Sequence, residues 1–365
     1  MTNSLFIWAT DFRPYGGEGI LSREFSTELS RFHKNINVVV VSTDRISKYK
    51  SGLLINEKIL IDTKGFDQDL NQGVYNKYFA PFKGVFLLRK YRKKYKYIAY
   101  INYLPLWNIF LFLLLPKQTI LGPIVGGYPG VSRSLFRRLF FPFFYMLSGK
   151  IISKRFKSIS LGNPGTYVYF PTKYRDSIVT NIFGALPSIN ILRKHKILNQ
   201  NIVKEYDVFV YYRIHSTRYP VEMENIVNEL SFAGFRVCII GDNIDNDRVF
   251  NYGFLPHEDT IRLLSKSQIS IAFSQNIFSL IFFESIAVGT PPLVFSGGGH
   301  EKYKNFVNFS DLDKCFYEIS SLDAKKVCDT TKYLLSSELP DIKYHSEIFF
   351  SNLNSSYSSY YSGII

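Results

Sequence analysis

The chain has 365 residues, 46% of them hydrophobic and 17% aromatic, with a formal net charge of +14. That length suits two domains of similar size, and the apolar content excludes disorder over most of the chain. A cationic surplus of this size points to an anionic partner: nucleic acid, acidic lipid or a phosphorylated substrate.

The first strand is expected at 5–10, running into Tyr15, Gly16, Gly17, Glu18 and Gly19. A helix over about 20–32 follows, with Leu21, Phe25, Leu29 and Phe32 at helical spacing. The run 36–42 centres on four consecutive valines, β-branched and apolar as in a strand covered on both faces. Strand, glycine turn, helix and strand make a βαβ opening and imply a parallel sheet. Further strands are expected at 97–102 and 119–121, the latter leading into a Gly-Pro-Ile-Val-Gly-Gly run that ends at Gly126 and Gly127. The second half repeats the pattern. Strands are expected at 207–212, 236–241, 249–252, 269–273 and 292–295, with helices at 221–232, 258–265 and 278–288. The resulting division is an N-terminal domain at 1–185, a linker at 186–205, a C-terminal domain at 206–345 and a tail at 346–365. The tail, rich in Ser and Tyr, reads as a surface segment or a frayed helix with room to pack back on the N-terminal domain.

Three widely spaced cysteines, Cys238, Cys315 and Cys328, follow no metal-ligand spacing and fit buried thiols in a reducing compartment. The N-terminal residues lack the basic and long apolar regions of a signal peptide. The apolar runs 108–116 and 139–147 are far short of the ~20 residues of a spanning helix. A cytoplasmic protein, peripheral at the inner face of the plasma membrane, is therefore expected. The membrane-facing candidates are Arg92, Lys93 and Lys94, in a basic run interleaved with tyrosines, and Arg137 and Arg138, among Phe136, Phe140, Phe141, Phe143 and Phe144. Such cations gain ~1 kcal/mol each near an anionic leaflet. Pro142 argues against one continuous amphipathic helix there. A solvated basic face beside a core helix uses the same residues, and so does a groove for single-stranded nucleic acid.

The segment 276–292 is the most informative. Glu284 lies within an otherwise apolar helix that Gly289 ends. A buried carboxylate needs partners, and vicinal ribose hydroxyls are one such partner. The free N–H groups at the start of the helix suit a diphosphate. The plainer alternative is that Glu284 faces solvent and Asn276 caps the helix.

This segment resembles the E-x7-E region of retaining glycosyltransferases of family 4, with Phe278, Leu280, Glu284, Ala287, Gly289 and Pro291 in register. Gly253, Phe254 and the later Leu263-Leu264 are similar to the family's segment one strand upstream. Gly16 and Gly17 match its N-terminal glycine loop, and Arg213 and Arg218 match its Arg–Lys pair spaced by five. The resemblance implies an α/β, GT-B fold, two Rossmann-like domains facing each other across a cleft. It further implies a nucleotide-sugar donor, a lipid-linked saccharide acceptor of the surface-polysaccharide (O-antigen) type, transfer with retention, and no cofactor. On this reading Arg213 and Arg218 flank the diphosphate, Glu284 holds the ribose, and Ser279 and Leu280 open the helix at the phosphates. Gly253 and Phe254 lie near the base, Gly16 and Gly17 let backbone approach the substrate, and Gly126 and Gly127 line the acceptor side. The first family glutamate is replaced by Asn276 and the following glycine by Ser279; the amide suggests a donor sugar unusual at C3. A reaction without a metal ion is expected, and nucleic acid is not an expected partner. The alternatives are a basic nucleic-acid-binding protein on an α/β scaffold, and a GT-B protein that is an epimerase or catalytically silent.

Overall fold

The structure is a computed structural model. It describes all residues except 1, 13–16, 43–45, 51–52, 58–73, 103, 125–134, 158, 163, 181–182, 199–201, 215–219, 272–278, 296–310 and 338–341. The chain divides into two compact units, Met1–Phe183 with Ser355–Ile365, and Gly184–Asn354.

The first unit opens with β1 (Thr2–Ala9), α1 (Gly17–Phe32) and β2 (Asn37–Val41), then β3 (Ile46–Lys50) and β4 (Leu53–Glu57). It continues through α2 (Val74–Tyr91), β5 (Tyr95–Asn102), α3 (Ile109–Leu114), β6 (Thr119–Leu121), α4 (Leu135–Arg155), β7 (Ile159–Leu161) and β8 (Ile178–Thr180). The main sheet has the order β4-β3-β2-β1-β5-β6; β2, β1, β5 and β6 run parallel and β3 and β4 form an antiparallel edge. The central strand β1 buries Leu5, Phe6, Ile7 and Trp8 in succession, which is why it reads as an unbroken apolar run. Helix α2 approaches it closely at Gly84, where a Cβ would stand 2.2 Å from the Trp8 ring.

Helix α4 runs unbroken through Pro142, contrary to the expected interruption. Proline removes the hydrogen bond to the carbonyl four residues back, here that of Arg138. Residues 135–140 are all exposed, so the carbonyl that loses its partner lies on a solvent-facing stretch, where the loss costs least.

The second unit begins with α5 (Leu186–Leu198), in the segment read as a linker. Leu186, Ile189 and Ile191 are buried, and Lys204 donates to the carbonyls of Ser265 and Ser267 at 3.0 and 2.8 Å. The polar residues of 186–205 masked that short apolar face. Then follow β9 (Tyr206–Tyr212), α6 (Pro220–Phe232), β10 (Val237–Gly241), β11 (Phe250–Asn251), α7 (His257–Ser265), β12 (Ser267–Ile271), α8 (Leu280–Ala287), β13 (Pro292–Phe295), β14 (Tyr317–Ile319), α9 (Ala324–Ser336) and α10 (Ile342–Gly363). All six strands are parallel, in the order β11-β10-β9-β12-β13-β14. Counted along the chain that order is 3-2-1-4-5-6, the Rossmann arrangement, whose direction reverses between β9 and β12.

The serine- and tyrosine-rich tail belongs to α10, and the division between the units falls inside this helix. Leu353, Tyr357, Tyr360 and Tyr361 are buried. Tyr361 stacks on Phe32 with ring centroids 5.7 Å apart, and Tyr360 donates to the Leu121 carbonyl at 3.3 Å. Those apolar positions recur at helical spacing, which a reading by composition overlooks.

Candidate functional site

In a doubly wound sheet, ligands bind beyond the carboxyl ends of the strands where the order reverses. The residues at that edge of the second unit are built as follows. Gly241 ends β10 with φ +103°, a conformation open to glycine; a Cβ there would lie 2.1 Å from the Tyr212 carbonyl oxygen. The next residue, Asp242, donates its N–H to that carbonyl at 2.9 Å and accepts the Ile214 N–H on Oδ2 at 2.8 Å. Gly241 N–H meets the Gly253 carbonyl at 2.9 Å, so the turns after β9, β10 and β11 are tied together. Gly253 itself has φ +65°. Arg213, following β9, lays its guanidinium over the Phe254 ring at 5.4 Å from the centroid, and Phe254 is 66% exposed.

The second group of residues sits on α7 and α8. Glu284 is 2% exposed, which rejects the solvent-facing alternative. Its Oε1 lies 2.5 Å from His257 Nε2. At that separation one of the two atoms carries a hydrogen between them; with Glu284 ionised, Nε2 donates. His257 is the first residue of α7, after the N-cap Pro256. Helix α8 starts at Leu280 with Ser279 at its N-cap, two residues later than the spacing suggests. The Ser279 hydroxyl oxygen is buried and has no hydrogen-bond partner among the described residues, and its side chain makes no capping bond.

Of the expected site residues, the structure brings Arg213, Gly253 and Phe254 together at one end of the sheet, and places Ser279, Leu280 and Glu284 on α8. Gly17 opens α1 in the first unit and is exposed. Gly16, Gly126, Gly127, Arg218 and Asn276 lie outside the described residues. His257 and Asp242 were not singled out from the sequence. The only signal for the former was a histidine in the Gly253–Glu258 stretch, and for the latter a Gly-Asp pair closing a strand.

In the first unit, Arg92, Lys93 and Lys94 are exposed in the turn after α2, and Arg137 and Arg138 are exposed on α4. Lys94 lies over Tyr95 at 5.6 Å and Arg137 over Phe141 at 5.8 Å. Beside them α4 exposes Leu135, Phe136, Leu139, Phe140, Phe143 and Met146. At 100° per residue these fall on one arc, opposite the buried Tyr145, Ser148 and Ile152. Among the described residues no helix is long and apolar enough to cross a membrane.

The sequence carries three D-x-D triplets, Asp67–Asp69, Asp245–Asp247 and Asp311–Asp313, so its carboxylate spacing lends no support to the expected metal independence. The first lies outside the described residues, and Asp245 and Asp247 are exposed in the loop after β10.

The sequence matches no protein-family model and no curated protein. Solved structures do match in fold over nearly the whole chain. WaaG, a glycosyltransferase involved in lipopolysaccharide biosynthesis, is 11% identical with a TM-score of 0.52, covering 96% of this chain and 95% of that one. HepE of Anabaena, solved with UDP-glucose, is 11% identical at 0.52, covering 98% of each. The UDP-GlcNAc 2-epimerase of Methanocaldococcus jannaschii, solved with UDP-GlcNAc and UDP, is 11% identical at 0.52, covering 94% of this chain and 97% of that one. The chain thus has the α/β fold of these proteins, the GT-B fold of two Rossmann-like units.

Proposed function

We propose that the chain is a glycosyltransferase that takes a sugar from a nucleotide-diphosphate donor held by its second unit. The observation that carries this reading is a nearly buried carboxylate, Glu284, in a Rossmann unit whose strand-end turns also carry a cation. Glu284 accepts from the ribose hydroxyls. The Ser279 hydroxyl and the free N–H groups of Leu280 and its neighbours at the start of α8 receive phosphate oxygens. Arg213 offsets the negative charge that grows on the leaving phosphate, and Arg218 shares that role. The acceptor is a lipid-linked saccharide of the surface-polysaccharide type, transfer proceeds with retention, and the exposed face of α4 with its flanking cations holds the enzyme on the anionic membrane that carries the acceptor. Support for the polysaccharide role is the fold shared with WaaG.

Calorimetric titration of UDP, GDP, CDP and TDP into the wild type and Glu284→Ala tests the donor site. One diphosphate is expected to bind at micromolar level and to lose about tenfold or more in the variant, as for loss of a hydrogen bond to a charged group. Equal binding by both proteins would remove Glu284 from the site. A second reading, epimerisation of a nucleotide sugar on the same donor site, is favoured by the fold shared with the Methanocaldococcus epimerase. Incubation with UDP-N-acetylglucosamine and no acceptor separates the two: appearance of the 2-epimer by proton NMR supports the second reading, and an unchanged sugar supports transfer.

A further inference from the structure

Deepening the donor-site reading, on which it rests, we infer that His257 is a positioning residue that aims Glu284 at a vicinal diol. Among the described residues, His257 is the one hydrogen-bonding partner of the Glu284 carboxylate. Oε1 is taken at 2.5 Å, whereas Oε2 accepts from no described residue, although the side chain is 3% exposed. A carboxylate so little exposed, with only one oxygen taken among the described residues, is well suited to a ligand that completes it. The backbone fixes both members. His257 is the first residue of α7, and Glu284 stands in the second turn of α8, whose neighbours Ile281, Phe282, Phe283 and Ile286 are buried. The imidazole thus occupies one edge of the carboxylate and prevents its rotation. The other edge, together with the remaining lone pair of Oε1, is left for two adjacent hydroxyls.

A residue that only filled space would leave the selectivity for those hydroxyls untouched. The probes are UDP against 2′-deoxy-UDP, and GDP against 2′-deoxy-GDP, titrated into the wild type, His257→Phe and His257→Gln. Circular dichroism and urea unfolding verify that each variant folds. The wild type is expected to prefer the ribonucleotide by about tenfold or more. His257→Phe is expected to bind both members of a pair within about twofold of each other. His257→Gln, whose amide nitrogen donates from nearly the same place, restores most of the preference. A His257→Phe variant that discriminates as the wild type does overturns the inference and leaves the donor site standing. A wild type that binds both members equally overturns the inference and takes the ribose hydroxyls away from Glu284, with nucleotide binding itself left standing. A wild type that binds none of the four diphosphates overturns the donor-site reading, and this inference with it.

Discussion

Gly241 illustrates how much of this site is set by single backbone positions. Its φ of +103° and the Tyr212 carbonyl 2.1 Å from any added Cβ leave no room for another residue. Gly253, at φ +65°, meets nothing within 4 Å and has only the left-handed backbone to account for. Gly253→Ala is therefore expected to cost about 1–2 kcal/mol. Gly241→Ala is expected to cost more, about 3 kcal/mol, with the turns after β9 and β10 forced apart. Urea unfolding of the two variants verifies the order, and a smaller loss at Gly241 would count against the packing described. Residues of this kind divide by legibility. Glu284 stood out because a charge inside the apolar run Leu280–Ala287 has no structural use of its own. Its partner did not, since 27 residues separate His257 from Glu284 and nothing in the intervening segment reveals that the N-terminus of α7 meets the middle of α8. Arg213 was legible as a cation at a strand end, but not its place over the Phe254 ring.

Among elements, the buried parallel strands were the most legible, because β-branched and apolar residues run through them without alternation. Both faces of β1 and β9 are covered, and their bounds differ from the sequence reading by only a few residues. The helices α4 and α5 were misread, for a proline tolerated on an exposed turn and for a short apolar face among polar residues; for α10 the packing back on the first unit was legible, but its length and its buried tyrosine stripe inside a serine-rich segment were not. Helix α4 carries a prediction of its own. Phe136, Leu139, Phe140 and Phe143 are exposed, and the ring contacts of Phe136 and Phe143 reach only Phe140, Phe141 and Phe144 at the rim of the core, so replacing the four by serine leaves the buried core in place. The quadruple variant is expected to keep the unfolding midpoint of the wild type to within about 2 °C. In flotation assays, the wild type is expected to rise with vesicles of phosphatidylglycerol and phosphatidylethanolamine, and the variant to remain at the bottom. Loss of the cations alone, in Arg137→Gln/Arg138→Gln, is expected to weaken binding less at high salt than at low salt. A quadruple variant that floats like the wild type would show that α4 does not touch lipid.

At the scale of the whole molecule, the tyrosines set an upper limit on pH. Burial raises the phenols of Tyr49, Tyr100, Tyr357 and Tyr361 well above their ordinary value, and all four belong to the first unit. In the unfolded chain these groups release their protons near pH 10, whereas in the folded chain they keep them. Below that pH the two states hold the same protons, and these groups do not alter stability. Above it the folded state holds more protons, and stability falls by about 1.4 kcal/mol per pH unit for each tyrosine. Urea midpoints are thus expected to be flat with respect to these groups up to about pH 9.5 and to drop steeply above about pH 10.5, with tyrosinate absorbance at 295 nm rising in the same transition. Ionisation of all the tyrosines without unfolding would show that these rings are reached by water. Two of those tyrosines lie in the part of α10 that completes the first unit, although it follows the whole of the second unit in the chain. The second unit, by contrast, is one continuous stretch, Gly184–Asn354. During synthesis the usual order of assembly, N-terminal domain first, is therefore inverted. The second unit has all of its sequence before the first does, and the first is complete only once Ser355–Ile365 has followed.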